Sequence, residues 1–147
     1  MTSVLKSAIV AHSCATMFDL VDDAASYPEF LPWCPRTQVF ERTPALTRAR
    51  LEVDYHGLKA VVATRNAKRY PHGMTLELVE GPFERFRGEW RFAPLGEQGC
   101  RVEFSLDYKL AAGVLEPLLA SVFGQIADTL VERFVERADA LAQGQAR

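Results

Sequence analysis

Most of this chain alternates between apolar and polar residues with a period of two. Thr47 to Tyr55 sets Ala49, Leu51, Val53 and Tyr55 against Arg48, Arg50, Glu52 and Asp54. His56-Gly57 is a turn, and Leu58 to Arg69 returns with Ala60, Val62 and Thr64 opposed to Lys59, Arg65 and Arg69. Pro71-His72-Gly73 turns the chain again, before Met74, Leu76 and Leu78 share one parity. After a break at Gly81-Pro82, Phe86, Gly88, Trp90 and Phe92 oppose Arg85, Arg87, Glu89 and Arg91. Cys100, Val102, Phe104, Leu106, Tyr108 and Leu110 form a last inner row. Thr37 to Arg42 and Thr2 to Ala11 are shorter strands, the latter at a sheet edge. The period predicts strands with one dry face and one wet face. Their short connections predict antiparallel hairpins.

The end of the chain changes period. Gly113 to Ala142 predicts one helix of about 30 residues, roughly 45 Å long at 1.5 Å per residue. Pro117 fits only in its first turn, where no backbone donor is lost. Leu115, Leu118, Leu119, Val122, Phe123, Ile126 and Leu130 make a first apolar stripe, and Ala127, Val131, Phe134, Ala138 and Leu141 a second. The second is rotated from the first by roughly 80° at 100° per residue, as a helix on a curved partner requires. Near the N-terminus, Ser13 predicts the cap of a short helix through Asp22, with Met17, Phe18, Leu20 and Val21 inward. Three prolines in Tyr27–Pro35 then forbid a long helix or a central strand. A segment this apolar must bury its side chains or form a rim. The order predicts an α+β fold: a curved antiparallel sheet wrapped around a long C-terminal helix, with two short helices after the first strand.

The chain has 147 residues, which predicts a single domain over 1–147. A net charge of −2 argues against general nucleic-acid affinity, so no DNA partner is expected. No apolar run is long enough to span a membrane, and the first ten residues do not read as a signal peptide. The cysteines, Cys14, Cys34 and Cys100, are odd in number and read as reduced thiols in a cytoplasmic protein. Cys34 beside Trp33 reads as a buried filler more than a reactive thiol.

Three features point to an internal pocket: Gly124 in mid-helix, Gly88 on an aromatic inner face, and the apolar Tyr27–Trp33 segment. Small residues that only admit a neighbouring aromatic would leave the same trace. Catalysis finds little support. His12, His56 and His72 stand apart, and no cluster has metal-ligand spacing. The outer arginines interleave with acids and read as a mixed-charge face.

Tyr27-Pro-Glu-Phe-Leu-Pro-Trp-Cys34, Thr64-Arg65-Asn66, and Gly81-Pro-Phe-x-x-Phe-x-Gly-x-Trp-x-Phe92 carry a resemblance, together with Phe123-x-x-Ile126 in the last helix. They are similar to the START-like coenzyme Q-binding family, whose bacterial members include ribosome-association toxins of RatA type and polyketide cyclase/dehydrase-like proteins. Phe86 stands where leucine is more usual, and Pro35-Arg36 where small residues are. The resemblance implies a helix-grip (START/Bet v 1-like) fold over a lipid-sized cavity. It implies non-enzymatic binding of a hydrophobic ligand, ubiquinone or another isoprenoid or lipid, in support of respiratory quinone function. No other cofactor is implied. The ligand-binding residues expected are Phe30, Leu31, Trp33, Val53, Tyr55, Phe83, Trp90, Phe92, Phe104, Leu106, Leu118, Leu119, Val122 and Phe123. The tail would lie along Leu118, Leu119, Val122 and Phe123, and the Tyr27–Trp33 segment would be a gate or a lip touching the inner membrane. The alternatives are a toxin that binds the large ribosomal subunit and blocks subunit association, through the arginine-bearing face, and a cyclase/dehydrase-like enzyme using Tyr55, Thr64 and Tyr108.

Overall fold

The structure is a computed structural model and describes residues 2–113 and 116–145. Strand β1 (Thr2–Val10) leads to helix α1 (Cys14–Asp22) and a 3-10 helix (Ala24–Glu29). Then come β2 (Arg36–Arg42), β3 (Leu46–Tyr55), β4 (Leu58–Arg69), β5 (Gly73–Glu80), β6 (Phe83–Leu95) and β7 (Gly99–Leu110), and finally α2 (Glu116–Gln145). The strands form one seven-stranded antiparallel sheet in the order β1-β7-β6-β5-β4-β3-β2. The helix-grip architecture expected from the period and the resemblance is the one found.

Local chemistry explains the elements. The Ser13 hydroxyl caps α1 by accepting the Thr16 backbone N–H at 3.1 Å. His56 and Gly57 both have positive φ, 53° and 87°, the geometry of a two-residue hairpin turn of the primed type. The 3-10 helix absorbs Pro28, and Phe30 and Leu31 close it with backbone bonds to the Tyr27 carbonyl. The first part of the proline-rich segment is therefore helical and not loop.

The inner face of the sheet buries Ala49, Val53, Met74, Trp90, Phe92 and the alternate residues of β7 from Cys100 to Leu110. Register shifts at Val39/Glu41, Ala63/Thr64 and Phe83/Arg85 bend the strands. They supplement the twist from which curvature was expected. Gly88 contributes by close packing. A Cβ there would sit 3.3 Å from Leu76 Cβ and 3.6 Å from Leu106 Cδ1, so the missing side chain is room already taken.

Helix α2 begins at Glu116, later than the expected Gly113, with Pro117 in its first turn. Leu115 lies outside the described residues. The buried row runs Val122, Phe123, Ile126, then Ala127, Val131, Phe134 and Ala138, crossing from the first stripe to the second. The ends depart from expectation. Leu118 is 58% exposed and Leu141 is 41% exposed, because the helix is longer than the trough that holds its middle. Gly124 borders no close neighbour: a Cβ there meets nothing within 4 Å. Its cost is therefore only the helix penalty of glycine. Gly124→Ala is expected to raise unfolding stability by about 1 kcal/mol, read from urea denaturation. No change or a loss would show that the glycine has a second role.

Candidate functional site

Between α2 and the β3–β7 part of the sheet lies an apolar cavity of about 130 Å³. It exists because side-chain length differs across the sheet. β6 and β7 carry Trp90, Phe104 and Tyr108 inward, whereas β3 and β4 offer Ala49, Val53, Val62 and Thr64. The helix contributes Phe123, Ile126, Ala127, Leu130 and Phe134. An engineered cavity of about 150 Å³ with similar walls stays dry and takes up benzene. A ring or a single prenyl unit is thus the scale of what fits.

The structure brings together Trp33, Val53, Phe83, Trp90, Phe104, Leu106 and Phe123 of the expected residues as cavity wall. The others sit elsewhere. Leu31 and Val122 are buried in the core, and Phe92 stacks on Trp90 and packs against Phe18. Phe30 is held between Tyr27, Phe134 and the guanidinium of Arg137. Leu119 is partly buried, Leu118 is exposed, and neither reaches the cavity. The cavity lies further along α2 than expected, towards Phe134. The short residues that create it are on β3 and β4, strands whose position along the helix the sequence pattern does not give.

The far wall includes Asp22, Thr64 and Asn66. Asp22 is buried and fully engaged: it accepts from Thr47 Oγ1 at 2.7 Å, Lys68 Nζ at 2.8 Å and Arg42 Nε at 3.1 Å. The side chains of Asp22 and Lys68 are each only 5% exposed. This cluster ties α1 to β2, β3 and β4. Sequence reasoning missed it, although the signal was present. Asn66 and Lys68 continue the inner parity of Ala60, Val62 and Thr64, and a charge on a dry face needs a partner. The Tyr27 hydroxyl donates to the Val21 carbonyl, and burial pushes that phenol well above its usual range.

Outside the cavity is a wider cleft of about 690 Å³ lined by Pro32, Trp33, Tyr55, His56, Gln125, Ile126 and Arg133, among others. Trp33 and Ile126 belong to both spaces and form the partition between them. Tyr55, expected inside, stands in the cleft and donates to Gln125 Oε1 across its mouth. The apolar segment before it turns inward: Leu31, Trp33 and Cys34 are buried, while Pro28, Glu29, Pro32 and Pro35 face out. The large side chains of the expected gate or lip, Leu31 and Trp33, are thus turned into the core rather than outward. No helix among the described residues is long and apolar enough to cross a membrane.

The outer sheet face carries mixed charge. Arg48, Arg50, Arg65 and Arg91 each pair with a glutamate. Arg85 and Arg87 on β6 have no ion pair among the described residues. The histidines remain apart, with His12 bonded to Asp139 at 2.6 Å. The three thiols are buried, and Cys14 Sγ lies 2.9 Å from Cys100 Sγ despite their separation in sequence. Burial pushes the Cys34 thiol from its ordinary 9.0 up to about 11. Burial and then the neighbouring Cys14 push Cys100 up to about 12.

A family model described as polyketide cyclase / dehydrase and lipid transport matches residues 10–135. The ribosome association toxin RatA of Escherichia coli (strain K12) is 35% identical over 138 residues, 94% of this chain and 87% of that protein. The mitochondrial coenzyme Q-binding protein COQ10 homolog B of Xenopus laevis is 29% identical over 80% of this chain and 50% of that protein. Among solved structures, a START superfamily protein from Mycobacterium smegmatis superposes with a TM-score of 0.78 at 23% identity, covering 95% of this chain and 98% of that one.

Two outcomes follow from the buried polar groups. Lys68→Met strands a buried carboxylate and is expected to cost about 3 kcal/mol of unfolding stability; a loss below 1 kcal/mol would mean that Arg42 and Thr47 suffice. Unfolded thiols ionise near 9.0, whereas folded Cys34 and Cys100 hold their protons to about 11 and 12. Their contribution is therefore complete below pH 9 and is lost as pH rises through 11 and 12. Urea midpoints measured from pH 8 upward should fall above pH 9, and the fall should shrink in Cys34→Ala.

Proposed function

We propose that this protein, which belongs to the polyketide cyclase, dehydrase and lipid transport family, holds a small hydrophobic ligand in its apolar cavity and acts by binding. The observation that carries the reading is the cavity itself, about 130 Å³ in the middle of an otherwise packed core and walled by Trp33, Trp90, Phe104 and Phe123. Native interiors leave few voids larger than a water molecule. Each CH₂ of a ligand buried there is worth roughly 0.8 kcal/mol.

A quinone ring or the first prenyl unit matches this volume. A longer isoprenoid tail would leave past Trp33 and Ile126 into the outer cleft. The relative named for coenzyme Q binding favours a quinone. Catalysis is the weaker reading. Asp22 is spent on Lys68, Arg42 and Thr47, Tyr27 on the Val21 carbonyl, and Tyr55 stands outside the cavity. What remains is thin for acid–base chemistry.

A second reading, association with the large ribosomal subunit, is favoured by the 35% identity to RatA over 94% of the chain. Arg85 and Arg87 are the cations of β6 without an ion pair among the described residues, Arg87 standing across from Glu77 and Asp107. The two readings have separate tests. A short-tailed quinone should quench the fluorescence of Trp33 and Trp90, the chain's two tryptophans, in a saturable way. Ala49→Leu, which fills the cavity, should weaken that binding by about tenfold or more. Absence of quenching, together with no quinone or lipid in extracts of freshly purified protein, defeats the binding reading. Co-sedimentation with large subunits should fall on charge reversal at Arg85 and Arg87 and weaken with salt; a charge-reversed protein that sediments as before defeats the surface assignment.

A further inference from the structure

We infer that the cavity selects a ligand bearing polar groups at two ends: a hydrogen-bond acceptor received by the indole N–H of Trp33, and a hydroxyl that donates to Asn66 Oδ1. This rests on the cavity reading above and names the chemistry of the occupant.

Two observations carry it. The Trp33 indole nitrogen and Asn66 Oδ1 are buried and have no hydrogen-bond partner among the described residues. Both residues line the same cavity. Buried polar atoms are almost always paired, and an indole N–H can only donate. A core evolved only to pack would place phenylalanine and an aliphatic residue at these positions and avoid the desolvation penalty. Here the unpaired atoms belong to two residues that line a space another molecule can enter.

Their placement gives the ligand an orientation. Trp33 forms the partition with the outer cleft, so the acceptor lies at the mouth. Asn66 lines the inner cavity and not the cleft, on β4 between Thr64 and Lys68, beside the Asp22 cluster. Its neighbours Thr47 and Lys68 are committed to Asp22, and neither satisfies its carbonyl. The ring of the ligand then lies against the apolar middle, between Trp90 and Phe123. A monocyclic aromatic carrying a carbonyl opposite a hydroxyl has this pattern. A hydrocarbon of equal size has the shape without the polar ends.

The test uses p-xylene, p-tolualdehyde and p-cresol, which share a ring and differ in polar ends, on the full chain. Each is titrated against wild type, Trp33→Phe and Asn66→Leu, and affinities are compared as ratios to p-xylene on the same protein. Trp33→Phe should lower the p-tolualdehyde ratio by about fivefold or more, and Asn66→Leu the p-cresol ratio by a similar factor. A measurement on wild type guards against variants that fail to fold. The Trp33 indole N–H resonance should move downfield with p-tolualdehyde and not with p-xylene. If all three compounds bind, the ratios do not change and the resonance responds alike to both, the polar-end assignment is overturned and the cavity reading stands. If no compound, p-xylene included, binds wild type, the cavity reading fails and takes this inference with it.

Discussion

Seven strands spaced about 4.8 Å apart present an apolar face roughly 30 Å across, and a helix with its side chains is only about 10–12 Å wide. That mismatch governs the molecule. One helix cannot cover such a face laid flat, so the sheet bends around it, and the bulges in β2–β3, β4–β5 and β6–β7 supply the bend. What the helix still leaves open is covered by α1, the 3-10 helix and the apolar segment that follows. Leu31, Trp33 and Phe18 are pressed into the core for that reason. Where β3 and β4 offer only short side chains, coverage falls short and the cavity remains.

The fold was legible because its signals are local. Strict alternation marked the strands, His56-Gly57 and Ser13 marked a turn and a cap, and the drifting stripe of α2 reported a curved partner. The site was legible only in part, because it depends on what stands opposite what. Trp90, Phe104 and Phe123 could be assigned to the inner face from parity or stripe. The position of the void along α2 follows from Ala49 and Thr64 facing the Phe123–Phe134 stretch, a pairing between distant segments that periodicity does not encode. Leu118 shows the opposite error: its spacing fits the stripe, yet it lies beyond the trough.

Asp22 and Lys68 show how a polar device hides in an apolar pattern. Each sits on a face otherwise given to hydrophobic residues, and only together do they make sense. Buried pairs of this kind are poor sources of net stability, because desolvation consumes most of their attraction. Their effect is on arrangement. Three strands and a helix must converge on one carboxylate, so alternative registers of β4 would bury a charge without a partner. The same cluster keeps Asp22 from serving as a free acid beside the cavity.

The indole that divides the inner chamber from the outer cleft has a thermodynamic consequence. A partition common to two compartments cannot shift for one without altering the other. Any guest that tilts Trp33 or Ile126 redraws the contour formed by Pro32, Tyr55, His56 and Gln125. A macromolecule that grips this contour in one setting must, by linkage, change the guest's affinity by the same factor that the guest changes its own. Cargo and cleft would then report on each other through one side chain, whereas the Arg85 and Arg87 face of β6 shares no residue with either space.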